Sequence, residues 1–427
     1  MNHAQSQSVT QKCLALLSLA ACLSLPATMA YSGDDFASAV TGGKTSLSSR
    51  YRFERVDQEG FANKAGASTL RTQLGYLTGD FHGFSGFLQF EDVRSIGSER
   101  YNSTVNGLVR FPVVADPEST EINQSYLSYQ GFPNTTLKFG RQAIIYDNHR
   151  FIGNVGWRQN EQTYDAFAVE NKSLPSTTIN YAHIANVNRI FGENHPTLSD
   201  LRLSGDLFNV AYSGFKAGKL VGYSYLLDYD PGQAGGFPIT ASNKTLGLRF
   251  DGGHTLDGWK LLYNAEYAQQ SDYKGGASTV DADYRYGMLG AEVKGVQLKF
   301  NYEVLGGDGV YGFATQLATL HAHNGWADRF LNTPRDGIRD AFITTSGSVW
   351  GSDLLAYYRK FSSDNLSYSY GTEWGFQAAR KMNKFLTLTV KYATYDGDTN
   401  ATNVARNAAA ALARDSDKLW LQAEFKL

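Results

Sequence analysis

The last eleven residues, Asp417 to Leu427, read D-K-L-W-L-Q-A-E-F-K-L and restrict the fold more than any other stretch. Leu419, Leu421, Ala423, Phe425 and Leu427 share one face, while Lys418, Trp420, Gln422, Glu424 and Lys426 share the other. Strict period-two alternation of this length is a β-strand with one apolar and one polar face. About ten such residues, tilted by about 45°, cross the hydrocarbon core of a bilayer. Lipid offers no hydrogen bonds, so a strand there must be paired along both edges, and a closed barrel is the simplest structure that does this. Taken alone, the segment also fits the edge of a soluble sandwich.

The remainder of the chain separates the two readings. Leu47, Tyr51 and Phe53 oppose Arg50, Arg52 and Glu54; Leu70, Leu74 and Tyr76 oppose Arg71 and Gln73; Phe84, Leu88 and Phe90 oppose Gln89 and Glu91. Later apolar rows are Val221/Tyr223/Tyr225/Leu227, Leu246/Leu248/Phe250, Leu261/Tyr263/Ala265/Tyr267, Val296/Leu298/Phe300/Tyr302 and Leu386/Leu388/Val390/Tyr392. Tight Gly-rich or Asn-containing turns alternate with long gaps such as 95–121. This rhythm predicts an all-β, transmembrane antiparallel β-barrel of about eighteen strands, with short periplasmic turns and long extracellular loops. A sandwich has no reason to sort its connections by length in this way. No apolar run after the N-terminal region reaches the roughly 18 residues that a spanning helix needs.

Residues 1–30 read as a cleaved signal peptide: Lys12 precedes the apolar run Cys13–Leu25, and Pro26-Ala27-Thr28-Met29-Ala30 offers a small-residue cleavage site. The rival reading is the lipobox-like Leu19-Ala20-Ala21-Cys22, which would lipidate Cys22. Cleavage after Ala30 removes both cysteines, leaving no disulfide and no thiolate chemistry. Residues 31–43 are then a short periplasmic lead-in and 44–427 the barrel. A formal net charge of -2 argues against nucleic acid as a partner. The partners expected are outer-membrane lipid and lipopolysaccharide, the barrel-assembly machinery, and a small hydrophilic or saccharide solute, with the barrel a monomer.

Barrel size bears on function, because sixteen to eighteen strands leave an aqueous lumen and eight do not. The polar faces are therefore expected to line a pore. Inward cations on this parity include Arg50, Arg52, Arg71, Lys138 and Arg249; inward anions include Glu54, Glu91 and Glu303. Arg50, Arg52 and Arg71 cluster on the first two strands, and rings of arginine favour anions. The bland reading of the same residues is a lumen of mutually paired charges.

Two stretches carry a family resemblance. One runs from Val113-Val114-Ala115-Asp116-Pro117-Glu118 through Glu121–Leu127 and Phe139-Gly140-Arg141-Gln142 to Asp147–Asp165, including Trp157-Arg158-Gln159. The other is His321-Ala322-His323-Asn324-Gly325-Trp326-Ala327-Asp328 with Thr333-Pro334 and Gly337. The chain resembles the alginate-export family of bacterial outer-membrane proteins. The resemblance implies an eighteen-stranded barrel whose arginine-rich constriction passes an anionic polysaccharide, and it nominates Arg141, Arg150 and Arg158 as constriction cations; the strand pattern places them at or beyond the outer end of the fifth strand, in a loop long enough to fold inward. Ion pairs with Asp147, Glu161 or Asp165 are the alternative role for these three. The chain departs from the family pattern in its short late turn, Arg380–Lys384, and in its mixed-sign lining.

Other constellations are weaker. His321, His323 and Asp328 have metal-ligand chemistry, but a polar loop cluster is the simpler reading, and no metal is expected. Asp396-Gly397-Asp398-Thr399-Asn400 is half of a calcium loop without the later glutamate, so calcium in the outer loops is the lesser reading and no cofactor is expected. Gly83-Phe84-Ser85-Gly86 lacks nucleophile-elbow spacing, and Glu91-Asp92 point to opposite faces, so no catalytic set is found. The expected function is a non-enzymatic channel for hydrophilic, anionic solutes or a linear saccharide, the alternative being a general diffusion porin.

Overall fold

The computed structural model describes residues 35–232 and 237–427. The expected signal peptide, with Cys22, and the first residues of the lead-in lie outside the described residues. What is described of the lead-in is a short helix, α1 (Phe36–Thr41), capped by Asp35, whose carboxylate accepts from the Ala37 amide.

Eighteen strands follow: β1 (Lys44–Gln58), β2 (Ala65–Leu77), β3 (Phe84–Ser95), β4 (Ser119–Tyr129), β5 (Thr135–Gln142), β6 (Thr163–Asn171), β7 (Thr177–Asn188), β8 (Asp200–Phe215) and β9 (Gly218–Tyr229). The second half comprises β10 (Asn243–Leu256), β11 (Trp259–Asp272), β12 (Asp281–Val293), β13 (Val296–Leu305), β14 (Ile338–Val349), β15 (Ser352–Ser362), β16 (Ser369–Lys381), β17 (Leu386–Gly397) and β18 (Ser416–Lys426). Each strand pairs antiparallel with its neighbours in sequence. The last pairs with the first, from Ser48↔Lys426 to Gln58↔Ser416, and so closes the ring. Closure leaves no unpaired edge, which is the condition lipid imposes.

The connections from an even strand to the next odd one, such as 78–83, 257–258 and 382–385, are short and lie at one end. The long ones, including 96–118, 143–162, 306–337 and 398–415, lie at the other. A second helix, α2 (Ala401–Arg406), occupies part of the alanine-rich stretch in the last of these, with Asn400 accepting from the Asn403 amide as its cap.

Alternation sorts side chains as the pattern predicts on most strands. Leu246, Leu248, Tyr267, Leu289, Phe300 and Val390 stand exposed on the outside, and Arg50, Arg52, Glu54, Arg71 and Glu91 are buried inside. Strand β9 is a correction. Its apolar row, Val221, Tyr223, Tyr225 and Leu227, is buried and faces inward. The reason lies in what it meets: Phe151, from the loop between β5 and β6, sits with its ring centroid 5.3 Å from Tyr223 and 6.2 Å from Tyr225. An apolar inward row is therefore a docking wall for a loop.

Candidate functional site

Two long loops turn into the barrel and join each other there. Inner loop A is residues 143–162 and inner loop B residues 306–337. Ile152 and Leu317 form a parallel bridge, the Gly153 amide donates to Leu317 O at 2.9 Å, and the Thr319 amide donates to His149 O at 3.0 Å. The Tyr164 hydroxyl and the Gln162 amide, both buried, also donate to Gly153 O, at 2.7 and 2.9 Å. Backbone groups that would be orphaned inside a barrel are thus satisfied by the other loop. On one side the pair rests on an aromatic bed in which Phe151 also meets Tyr284 and Phe313.

On the other side the contact is ionic. Arg158, at the end of loop A, lies 3.0 Å from Glu54, 3.6 Å from Asp116 and 3.2 Å from Asp328. Asp116 comes from the loop 96–118, and its carboxylate also accepts from the Gln159 amide at 2.8 Å. Arg50 donates to Gln159 Oε1 at 2.9 Å, to Gly156 O at 2.8 Å, and to Arg158 O. Arg71 stands directly across the ladder from Arg50 and pairs with Glu161 at 3.1 Å and Glu424 at 3.7 Å. Like charges placed opposite each other destabilise a sheet; here loop A supplies the oxygens that offset the repulsion. Glu91, one strand further, accepts from Gln73 at 2.6 Å and from the Glu161 amide at 3.2 Å. Arg52 takes Gln422 Oε1 at 2.8 Å and lies 4.1 Å from the centroid of Trp157.

Loop B is held by a lysine in an aromatic cage. The Lys391 ammonium is 4.0 Å from the Trp157 ring, 3.8 Å from Trp326 and 5.5 Å from Trp420, and donates to His321 Nε2 at 2.8 Å. His321 in turn bonds Asp328 through Nδ1 at 2.7 Å and stacks on Trp157 with 4.4 Å between centroids. Burial pushes the His321 imidazole well below its ordinary value, against the pull of Asp328. Asp328 is also buried, which would raise it, but His321, Lys418 at 2.7 Å and Arg158 hold it well below the carboxylate range. The pair is therefore neutral imidazole and carboxylate, with Nδ1–H as donor and Nε2 as acceptor. Nearby, Glu373 accepts from the Trp326 amide at 2.6 Å and from the Ala327 amide at 3.3 Å. Gly325, at φ +92, makes this approach possible, since a Cβ there would lie 2.4 Å from Glu373 Oε2.

A third group lies along β13, β14 and β15. Arg150 pairs with Glu303 at 2.9 Å and donates to Asn324 at 2.9 Å, and Asn324 donates to Glu303 and Asp340. Arg359 pairs with Asp340. Arg249 is shared between Asp251 and Glu266, which lies 2.9 Å away.

The residues nominated by sequence therefore divide. Arg50, Arg52, Arg71, Arg158, Glu54 and Glu91 come together with loop A; Arg150 and Glu303 form a second cluster; Arg249 lies on the same wall further round. Lys138 stands apart, 4.8 Å from the Tyr126 ring, and with Glu170 and Asn180 lines a cavity of about 360 Å³ toward the short-turn end. Arg141 is a correction. Its register partners Ser125 and Asp165 place it on the face of Leu127 and Phe139, which is the outer face. There it pairs with Asp165 at 3.0 Å and Glu193 at 3.1 Å, outside the lumen. The reading missed Asp116, Asp340 and Arg359. Arg359 alternates with Tyr357 and Phe361 and could have been found; Asp116 lies in a loop whose pattern says nothing about direction. His321 and Asp328 meet, whereas His323 is half-buried beside Arg150 and Arg359. Among the described residues no group of three or more His, Cys, Asp or Glu is placed to hold a metal.

At the long-loop end a cavity of about 350 Å³ opens onto this centre, with Phe61, Phe191 and Leu331 in its walls and Arg158, Asp328 and Lys418 at its floor.

The fold has solved counterparts. Pseudomonas aeruginosa OpdK, crystallised with vanillate, superposes with a TM-score of 0.66 over 91% of this chain and 99% of its own, at 13% identity. Acinetobacter baumannii OccAB4 gives 0.68 over 90% and 98%, at 10% identity. Pseudomonas aeruginosa OccD3 (OpdP) gives 0.67 over 91% and 92%, at 15% identity. No curated protein sequence matches this one. The family model for alginate export matches residues 44–324. The protein is an eighteen-stranded β-barrel of the Gram-negative outer membrane, and it belongs to the alginate export family.

Proposed function

We propose that the barrel is a narrow passive channel for anionic hydrophilic solutes, a linear uronate-type saccharide among them, with Arg50, Arg52, Arg71 and Arg158 as its selectivity element. The observation that carries this is the direct juxtaposition of Arg50 and Arg71 across one ladder, beside Arg52. Such crowding is costly to folding and is offset by the loop A oxygens that Arg50 and Arg71 hold, and it concentrates positive charge beside the lumen. Glu303, Asp340 and Glu373 on β13, β14 and β16 outnumber Arg150 and Arg359 beside them, so that part of the lining has a more acidic balance and the field is uneven around the lumen. The chemistry of the channel is non-enzymatic, and the barrel works as a monomer.

A general diffusion porin is the second reading. It is favoured by the carboxylates that neutralise Arg71, Arg158 and Arg249 one by one. Planar-bilayer recordings separate the two. Under the first reading, a salt gradient gives an anion-directed reversal potential, and oligouronates interrupt the current at lower concentration than neutral oligosaccharides of the same length. Equal block by both sugars, or a cation-directed potential, would sink the first reading.

A further inference from the structure

The outer wall carries a groove that the channel does not use. Phe53 and Arg55 of β1 share the outward face with Tyr51, and their register partners on β2 are Ser68 and Gly66. These two small residues form the floor; a Cβ at Gly66 would meet nothing nearer than the Phe53 ring at 3.9 Å. The start of the loop 96–118 forms the far wall, tied down by the Gly66 amide donating to Arg100 O at 2.8 Å and the Ile96 amide to Ser68 O at 2.7 Å. With Asn63 and Lys64 from the first long loop, the groove encloses about 500 Å³.

Charge separates this groove from another on the same outer surface. Between β12 and β14 a second hollow is lined by Arg285 and Arg339, but Asp283 and Asp364 neutralise them. Here three cations converge, Arg55, Lys64 and Arg100, and Asp57 answers only Lys64. Among the described residues neither Arg55 nor Arg100 has a carboxylate within ion-pair distance. Of the other acids nearby, Asp417 accepts from the Tyr392 hydroxyl at 3.2 Å and Glu99 from the Asn106 side-chain amide at 2.9 Å. Tyr51, Phe53 and Ile96 stand below or beside these cations as partly exposed apolar surface.

The groove sits at the long-loop end, where the strands leave the outer leaflet. In a Gram-negative outer membrane that leaflet presents phosphorylated glucosamine headgroups above acyl chains. We infer that this groove binds the phosphorylated headgroup of one outer-leaflet lipopolysaccharide molecule, Arg55 and Arg100 taking a phosphate while an acyl chain lies along Tyr51 and Phe53. Guanidinium groups suit this role because their fork matches a phosphate's oxygens.

The test uses purified, delipidated protein in mild detergent, titrated with bisphosphorylated lipid A, its dephosphorylated form and phosphatidylglycerol. Bisphosphorylated lipid A should bind tightest, and the Arg55→Ala/Arg100→Ala double variant should lose at least about tenfold in apparent affinity, as loss of charge-assisted bonds entails. The Arg285→Ala/Arg339→Ala variant should bind as the parent does. If the double variant assembles poorly, Arg55→Gln alone should still weaken binding. Equal affinity for the dephosphorylated lipid or phosphatidylglycerol, or undiminished binding by the Arg55 variants, would overturn the assignment. The single-channel conductance of the variants should match the parent, because the groove lies outside the lumen; the outcome is thus independent of which solute the channel passes.

Discussion

At the residue scale, charge position relative to the wall decides what each arginine can do. Arg52 is on the lumen side of the wall, buried with Trp157 against its guanidinium, whereas Arg141 is on the lipid face. Arg52→Gln should therefore reduce the anion-to-cation permeability ratio by up to about tenfold, since a unit charge at ~4 Å is worth about 1–4 kcal/mol between water and a protein surface. Arg141→Glu should leave the reversal potential unchanged; a shift there would put that side chain in the solute's path. Titration offers a second prediction at this scale. His321 is buried against Asp328, Lys391 and Arg158, and His323 is half-buried against Arg150, Arg359 and His149; both are pushed well below the ordinary 6.5. As pH falls below about 6.5, an opened loop B gains protons that the docked loop refuses, so docking weakens with acidification. Asp328 acts with the same sign but lower in pH: its contribution is present above the ordinary carboxylate value and is lost only as pH falls through its depressed one. Current fluctuations should thus increase on going from about pH 7.5 to about pH 5, and a His321→Gln/His323→Gln variant should flatten that dependence. Inward cations on strands were legible because period two fixes a face. The ion pairs they make were not, because Asp116 and Asp328 reach them from loops with no period at all.

At the element scale, the wall and the inner loops carry separate tasks. The strands close through their own ladders, whereas loop B docks through a few side chains: Lys391 among three indoles, Lys418 on Asp328, and Glu373 on two amides. Lys391→Met should keep the barrel folded but remove the cation–π and His321 contacts, worth together about 1–3 kcal/mol. That is enough to raise the open-loop population between about fivefold and about a hundredfold, so larger and noisier conductance is expected. An unchanged record would mean that loop B is pinned elsewhere. The strand count, and the sorting of connections into short and long, could be read from alternation and turn residues. Strand β9 misled because its apolar row obeys the same period as a lipid-facing one; only a partner such as Phe151, far away in sequence, distinguishes the two. Which loops fold inward was equally hidden from periodicity; for loop A the length of the gap after the fifth strand left room for it, and the family motif pointed to its arginines.

At the scale of the whole molecule everything depends on closure. If β18 did not meet β1, two edges would face lipid with unpaired amides and carbonyls, at a cost of several kcal/mol for each group. The register gives a direct test. Tyr51 and Ala423 are cross-strand partners on the outer face, whereas Gln422, one residue along, points into the lumen. Directly opposed residues have Cα atoms about 4.5–5.5 Å apart, within the span a disulfide tolerates. Both native cysteines, Cys13 and Cys22, lie in the leader that is expected to be removed, so an introduced pair would face no competition. Tyr51→Cys with Ala423→Cys should cross-link on oxidation, giving a band of altered mobility that survives denaturation and reverts with reductant. Tyr51→Cys with Gln422→Cys should stay reduced, because its thiols sit on opposite faces of the wall. Conductance of the cross-linked barrel should equal that of the reduced one, since the new bond lies on the lipid side. Cross-linking of the second pair instead of the first would shift β18 by one residue, turn Lys418 and Trp420 toward lipid, and dismantle the cage around Lys391 together with the selectivity argument built beside it.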